Sequence, residues 1–183
     1  MKKAAKTPAR LLTLAEFRRK YGGKEDGFKY EFNNGALEKS PSAMKVKQVH
    51  IINNLQRRFT QTQAYQAGDA LVGELELFTS SFQLRKPDLA WLPKAKMLAD
   101  DESVSGFVVE VISPTDSYRR VFNKLKEYFV AGVQVVWHII PEDEQVYVYT
   151  SPTRVAICEG DTICSAAPAL PDFEIAAADI FRK

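Results

Sequence analysis

With 183 residues, 45% of them hydrophobic and 26% charged, the chain is large enough to bury a core as one domain without disulfide staples. No apolar run approaches the roughly 20 residues of a membrane-spanning helix, so no membrane partner is expected. The net charge of +2 is uneven: residues 1–24 hold eight basic residues against Glu16 alone, and the remainder carries 17 basic and 22 acidic residues. A basic arm on a mildly acidic body can contact nucleic-acid phosphates, or it can be a solvated terminus. Cys158 and Cys164 form no CxxC pair and have no histidine cluster beside them. That spacing argues against zinc or a disulfide framework and suits a reducing cytoplasmic setting. The start "MKKAAKTPARLLTLAEF" lacks an apolar stretch of about 7–15 residues, so no secretory signal is expected.

In chain order, "LTLAEFRRKY" predicts a short helix with Thr13 as its N-cap. "GFKYEFNNGALEKS" predicts a hairpin turning at Asn33-Asn34-Gly35. Val49, Ile52, Leu55 and Phe59 recur at a helical period. Two or three strands follow through "ALVGELELFTSSFQLR", and then "PDLAWL", whose proline fits only the entry to a strand. A loop from Met97 to Gly106 leads into "GFVVEVIS", an apolar strand. "SPTD" starts a helix expected over residues 116–131, with Gly132 at its end. "VQVVWHIIP" is a further core strand and "QVYVYTSPTRVAIC" a hairpin. The order predicts an α/β fold: a mixed central sheet flanked by helices, with hairpins at its periphery. Residues 1–24 are expected to form a basic arm with a short helix, and residues 25–183 a single domain.

Glu110 breaks the apolar run "FVVEVIS". A lone buried carboxylate costs several kcal/mol, so it needs a partner. Asp88 opens the preceding core strand; if the two strands are neighbours, both carboxylates face one crevice. Their repulsion is relieved by a divalent cation, and oxygen-only donors favour Mg²⁺, Mn²⁺ or Ca²⁺ over softer metals. On the helix wheel Tyr118, Val121, Phe122, Leu125, Tyr128 and Phe129 form the apolar stripe. Lys124 falls at its border, able to lean toward the carboxylates, while Asn123, Lys126 and Glu127 face away. Plainer alternatives stand beside these: a turn cap for Asp88, a salt bridge to a buried Arg or Lys for Glu110, and a snorkelling side chain for Lys124.

"KPDLAWL", "FVVEVISPTDS", "NKLKEYFVAGV" and "VVWHIIP" resemble successive blocks of the Uma-two family, whose members are described as restriction-endonuclease-like, with the PD-(D/E)xK nuclease fold. "KYEFNNGALEKSPS" is similar to that family's opening block, and the resemblance spans roughly residues 28–141. It implies that Asp88 and Glu110 are the acidic residues of the nuclease motif. The lysine normally two residues after the second acid is replaced by Ile112, and Lys124 on the next helix takes its place. Glu31 matches an acidic residue that can help to hold metal; the plainer alternative is an exposed hairpin carboxylate. Two departures stand out: Gln48 occupies the expected histidine position with His50 shifted by two, and Ile140-Pro141 replaces an Asp-Pro pair. His138 reads as a structural histidine. The function implied is metal-dependent endonuclease hydrolysis of DNA by Asp88, Glu110 and Lys124, with metal at Asp88, Glu110 and Glu31. The alternatives are an inactive nuclease-fold binding module and a phosphohydrolase acting on nucleotides or RNA. Exposed edge strands near "QVYVYTS" suggest a homodimer.

Overall fold

Thr13 opens the first helix, α1 (Leu14–Tyr21). Its hydroxyl accepts from the Glu16 amide while the Glu16 carboxylate accepts from the Thr13 amide, so two otherwise orphaned donors are satisfied reciprocally. The computed structural model describes residues 10–42, 46–114 and 116–183, so the expected basic arm lies partly outside them, as does Thr115 of "SPTD". After α1 come β1 (Phe28–Asn33), β2 (Ala36–Pro41), α2 (Val46–Phe59), α3 (Gln63–Gln66), β3 (Ala70–Val72), β4 (Leu77–Ser80), β5 (Gln83–Arg85) and β6 (Leu89–Leu92). The second half holds α4 (Lys94–Leu98), β7 (Phe107–Val111), α5 (Tyr118–Val130), β8 (Val135–Ile140), β9 (Gln145–Ser151), β10 (Arg154–Cys158), β11 (Ile163–Ala166), β12 (Leu170–Ala176) and α6 (Ala177–Phe181). The loop expected from Met97 therefore begins inside α4.

The central sheet has six strands in the order β10-β9-β8-β7-β6-β3. β7 and β8 run parallel, joined by α5 as the crossover, and their neighbours pair antiparallel, so the sheet is mixed as expected. A separate four-stranded sheet, β2-β1-β5-β4, stands beside it, and β11 and β12 form a third. The first hairpin turns through Asn34 and Gly35, whose φ values of 50° and 84° are those a two-residue turn between twisted strands requires.

The side chains of β7 divide by alternation. Phe107, Val109 and Val111 join the core under α2, α6 and the β11–β12 hairpin, where Phe107, Trp137 and Phe173 interlock. Val108 joins the core under α5, with Leu125, Tyr128 and Val136. Burial of each large apolar side chain contributes about 1.5–3 kcal/mol. α1 closes the smaller sheet by burying Phe17 against Phe32 and Leu84.

Four expectations need correction. The buried stripe of α2 is Ile51, Leu55 and Phe59, with Val49 turned to solvent, because the helix is rotated by part of a turn toward α6. Tyr118 is 79% exposed: it precedes the point where α5 meets the sheet. Glu127 does not face away; half-buried, it accepts 2.8 and 2.5 Å bonds from the Arg85 guanidinium. Finally, β9 is an interior strand, because β10 folds back along it and supplies the sheet's outer edge.

Candidate active site

β6 and β7 pair antiparallel with Leu89 opposite Val109 and Ala90 opposite Val108. Continuing that register by one residue sets Asp88 opposite Glu110, on one face of the sheet. The Pro87 carbonyl accepts from the Glu74 amide, and the Asp88 carboxylate meets β7 instead, its Oδ2 accepting the Val111 amide at 2.7 Å. Glu110 shares its face with Val108 and therefore points under α5.

Lys124 stands on α5 directly above. Its Nζ donates to Glu110 Oε1 at 2.7 Å and to Glu31 Oε1 at 2.8 Å. One turn further along, the Tyr128 hydroxyl donates to Glu110 Oε1 at 2.6 Å. The helix is held in this position from both ends. The Ser117 hydroxyl caps it by accepting the Arg120 amide, and past its end Gly132 adopts a φ of 98° while Val133 donates back to Tyr128. All three residues expected to carry the chemistry, Asp88, Glu110 and Lys124, therefore line one cleft. Glu31 lines it too and is 1% exposed, not an exposed hairpin carboxylate.

The salt-bridge alternative for Glu110 is also present, since Lys124 is its partner. Asp88 has one as well: Lys29 Nζ lies 2.8 Å from Asp88 Oδ1 and donates to the Lys86 carbonyl. Lys29 was legible in principle. It precedes Glu31 by two residues on a strand, so both side chains leave the same face. Arg85 had no such signal. Only 1% exposed, it reaches Glu38 at 3.0 Å, Glu127 at 2.5 Å and Glu31 at 3.7 Å, tying β1, β2, β5 and α5 together. Arg120 adds contacts to Glu31 and Glu38.

The electrostatics are asymmetric. Burial pushes the Glu31 carboxyl up, but Lys124 and Arg85 reverse this and hold it at about 2. Glu110 goes the other way: burial pushes its carboxyl up, Lys124 only partly offsets this, and nearby Asp88 adds to it. Burial pushes the Lys124 ammonium down, but Glu110 and Glu31 outweigh it, so its affinity for the proton rises. His138 lines the cleft, where burial, followed by Lys124, lowers it to about 4 and keeps it neutral. Gln48 also lines the cleft.

Asp88 and Glu110 offer hard oxygen donors on opposed strands, each already facing a primary ammonium, which fits Mg²⁺ or Mn²⁺ once those ammoniums yield. Among the described residues no three His, Cys, Asp or Glu side chains converge at ligand spacing in this arrangement. Glu31 fits such an ion less well than the pair does. Its oxygens already meet Lys124, the Lys86 amide, Arg85 and Arg120.

The model of the Uma2 family, described as "Putative restriction endonuclease", matches residues 14–178. A crystal structure from Anabaena variabilis ATCC 29413, described as "a putative nuclease belonging to DUF820", is similar with a TM-score of 0.76. It is 18% identical, over 93% of this chain and 97% of that one, which shows a shared fold. No curated protein matches the sequence. The restriction-endonuclease-like resemblance carried by residues 28–141 thus extends over nearly the whole chain, and the chain belongs to the Uma2 family.

Proposed function

We propose that this chain is a metal-dependent endonuclease that hydrolyses DNA phosphodiester bonds in the cleft between β6, β7 and α5. The observation that carries this reading is the convergence of Asp88, Glu110 and Lys124 from three separate elements on one cleft. Asp88 and Glu110 would hold Mg²⁺ or Mn²⁺. When bound, the cation would supply positive charge that polarises the scissile phosphate. Lys124 keeps its proton, so its part is that of a hydrogen-bond donor and fixed positive charge, not of a general base. From Nζ it would orient the attacking water and stabilise the charge that develops on the phosphate oxygens. Glu31, with its oxygens committed, is proposed to position Lys124, and to join the cation only if that ammonium swings away. The domain limits of residues 25–183 and the cytoplasmic setting belong to the same proposal. Pairing of two copies along β10 is its proposed route to a homodimer, because that strand is one edge of the central sheet.

A second reading has one observation in its favour. Lys29 on Asp88 and Lys124 on Glu110 already occupy both carboxylates with ammonium partners, as in a nuclease fold kept for binding alone. Calorimetric titration with Mn²⁺ separates the two. The catalytic reading expects one site per chain that is weakened at least about tenfold in both Asp88→Asn and Glu110→Gln, a loss of about 1.4 kcal/mol. An affinity unchanged by Glu110→Gln would remove Glu110 from the ligand set.

A further inference from the structure

Tyr118, the first residue of α5, leaves 79% of its surface in solvent. Its ring lies nearly parallel to that of Phe122 one turn on, with planes 9° apart and centroids 5.7 Å apart. The Lys126 ammonium sits 4.6 Å from the centroid of Phe122. The three side chains form a ladder at four-residue spacing along one stripe of the helix.

The ladder lies on α5, the helix whose Val121 and Lys124 line the cleft. Tyr149 on β9 packs edge-on against His138 at 5.0 Å, and it and Phe122 both pack against the core under α5. His138 in turn lines the cleft. The open ring of Tyr118 thus stands on the same helix as Lys124 and Tyr128. Arg119, next to Tyr118, lines a second hollow with Ser117 and Asn123.

Resting on the phosphodiester reading of the cleft, we propose that the exposed face of Tyr118 stacks an unpaired base, so that the substrate is single-stranded DNA or an unpaired stretch of it. Two observations favour this occupant. A ring with an open face accepts any base, and Arg119 and Lys126 flank it as partners for the backbone phosphates. The cleft encloses about 330 Å³, the scale of a small-molecule pocket, which suits a nucleotide-sized unit better than the breadth of a duplex.

The test is fluorescence polarisation in EDTA with the full chain, using a labelled oligothymidylate of about 20 nucleotides and a duplex of equal length. The single strand is expected to bind at least about tenfold more tightly than the duplex, and Tyr118→Ala to weaken it by about 10- to 100-fold. Tyr118→Trp should retain the affinity, whereas Tyr118→Leu, which keeps apolar bulk but no π face, should not. Equal affinity for duplex and single strand would overturn the proposal, as would full binding by Tyr118→Leu. So would unchanged single-strand affinity in Tyr118→Ala accompanied by loss of an oligomer in mass photometry, since the rings would then be a subunit contact. Binding is read here without metal. A protein that grips single strands but never cuts them leaves the stacking proposal standing and removes the catalytic one; cutting that ignores Tyr118 does the reverse.

Discussion

Lys124 donates to Glu31 and Glu110 from one nitrogen, yet Arg85 and Arg120 also reach Glu31, whereas among the described residues it is the neutral Tyr128 hydroxyl that adds a hydrogen bond to Glu110. One carboxylate is therefore locked as an anion, while the other remains short of positive charge, the state in which an arriving cation gains most. Arg85 supports this imbalance from behind. Arg85→Met keeps much of the bulk but strips Glu38 and Glu127 of their buried partner, so it should cost about 3–5 kcal/mol in urea unfolding. A loss under about 1 kcal/mol would mean that water reaches those carboxylates. Tyr128→Phe removes only the 2.6 Å bond to Glu110 and should cost about 1.5–3 kcal/mol by the same measurement, the range for bonds to charged groups.

At the scale of elements, the site depends on how α5 is set above β7. Gly132 ends the helix with φ at 98°, and a Cβ placed there meets nothing within 4 Å. Gly132→Ala should therefore cost about 1–2 kcal/mol through backbone conformation alone, and Gly132→Asn less. Equal stability of wild type and Gly132→Ala in thermal unfolding would show that the helix ends another way. The elements themselves were largely legible. The Asn33-Asn34-Gly35 turn, the Thr13 cap and the apolar run around Glu110 are local signals, and each marks an element that forms. What was illegible is long-range: nothing local separates the strands of the smaller sheet from those of the central one. The rotation that buries Ile51 in place of Val49 depends on α6, more than 120 residues away. Asp88, Glu110 and Lys124 could be named because each breaks or borders an apolar pattern. Arg85 could not, because its pattern is a strand end followed by Lys86 and Pro87, which reads as surface.

For the whole molecule, the buried carboxylates link stability to acid. Glu31, held at about 2, and Glu38, held below the usual carboxylate range by Arg85 despite burial, both ionise more readily in the folded chain than in the unfolded one. The stability they contribute is fully present above the ordinary carboxylate value near 4.5 and is lost as pH falls from there toward about 2. Glu110, whose affinity for the proton is raised, acts with the opposite sign and offsets part of this above its ordinary value. Urea midpoints should hold near neutrality and drop steeply below about pH 4.5, with a shallower drop in Glu38→Gln. A midpoint flat down to pH 3 would contradict the network's role.

The most direct test of the central claim is cleavage itself. Purified protein is incubated with supercoiled plasmid and with a single-stranded circle, in Mg²⁺, Mn²⁺ or EDTA, beside Lys124→Ala. The account predicts strand breaks that require the metal and fall by about 10²–10³-fold in Lys124→Ala while the variant still binds Mn²⁺. Breaks that persist in EDTA, or that Lys124→Ala makes at the wild-type rate, would contradict it.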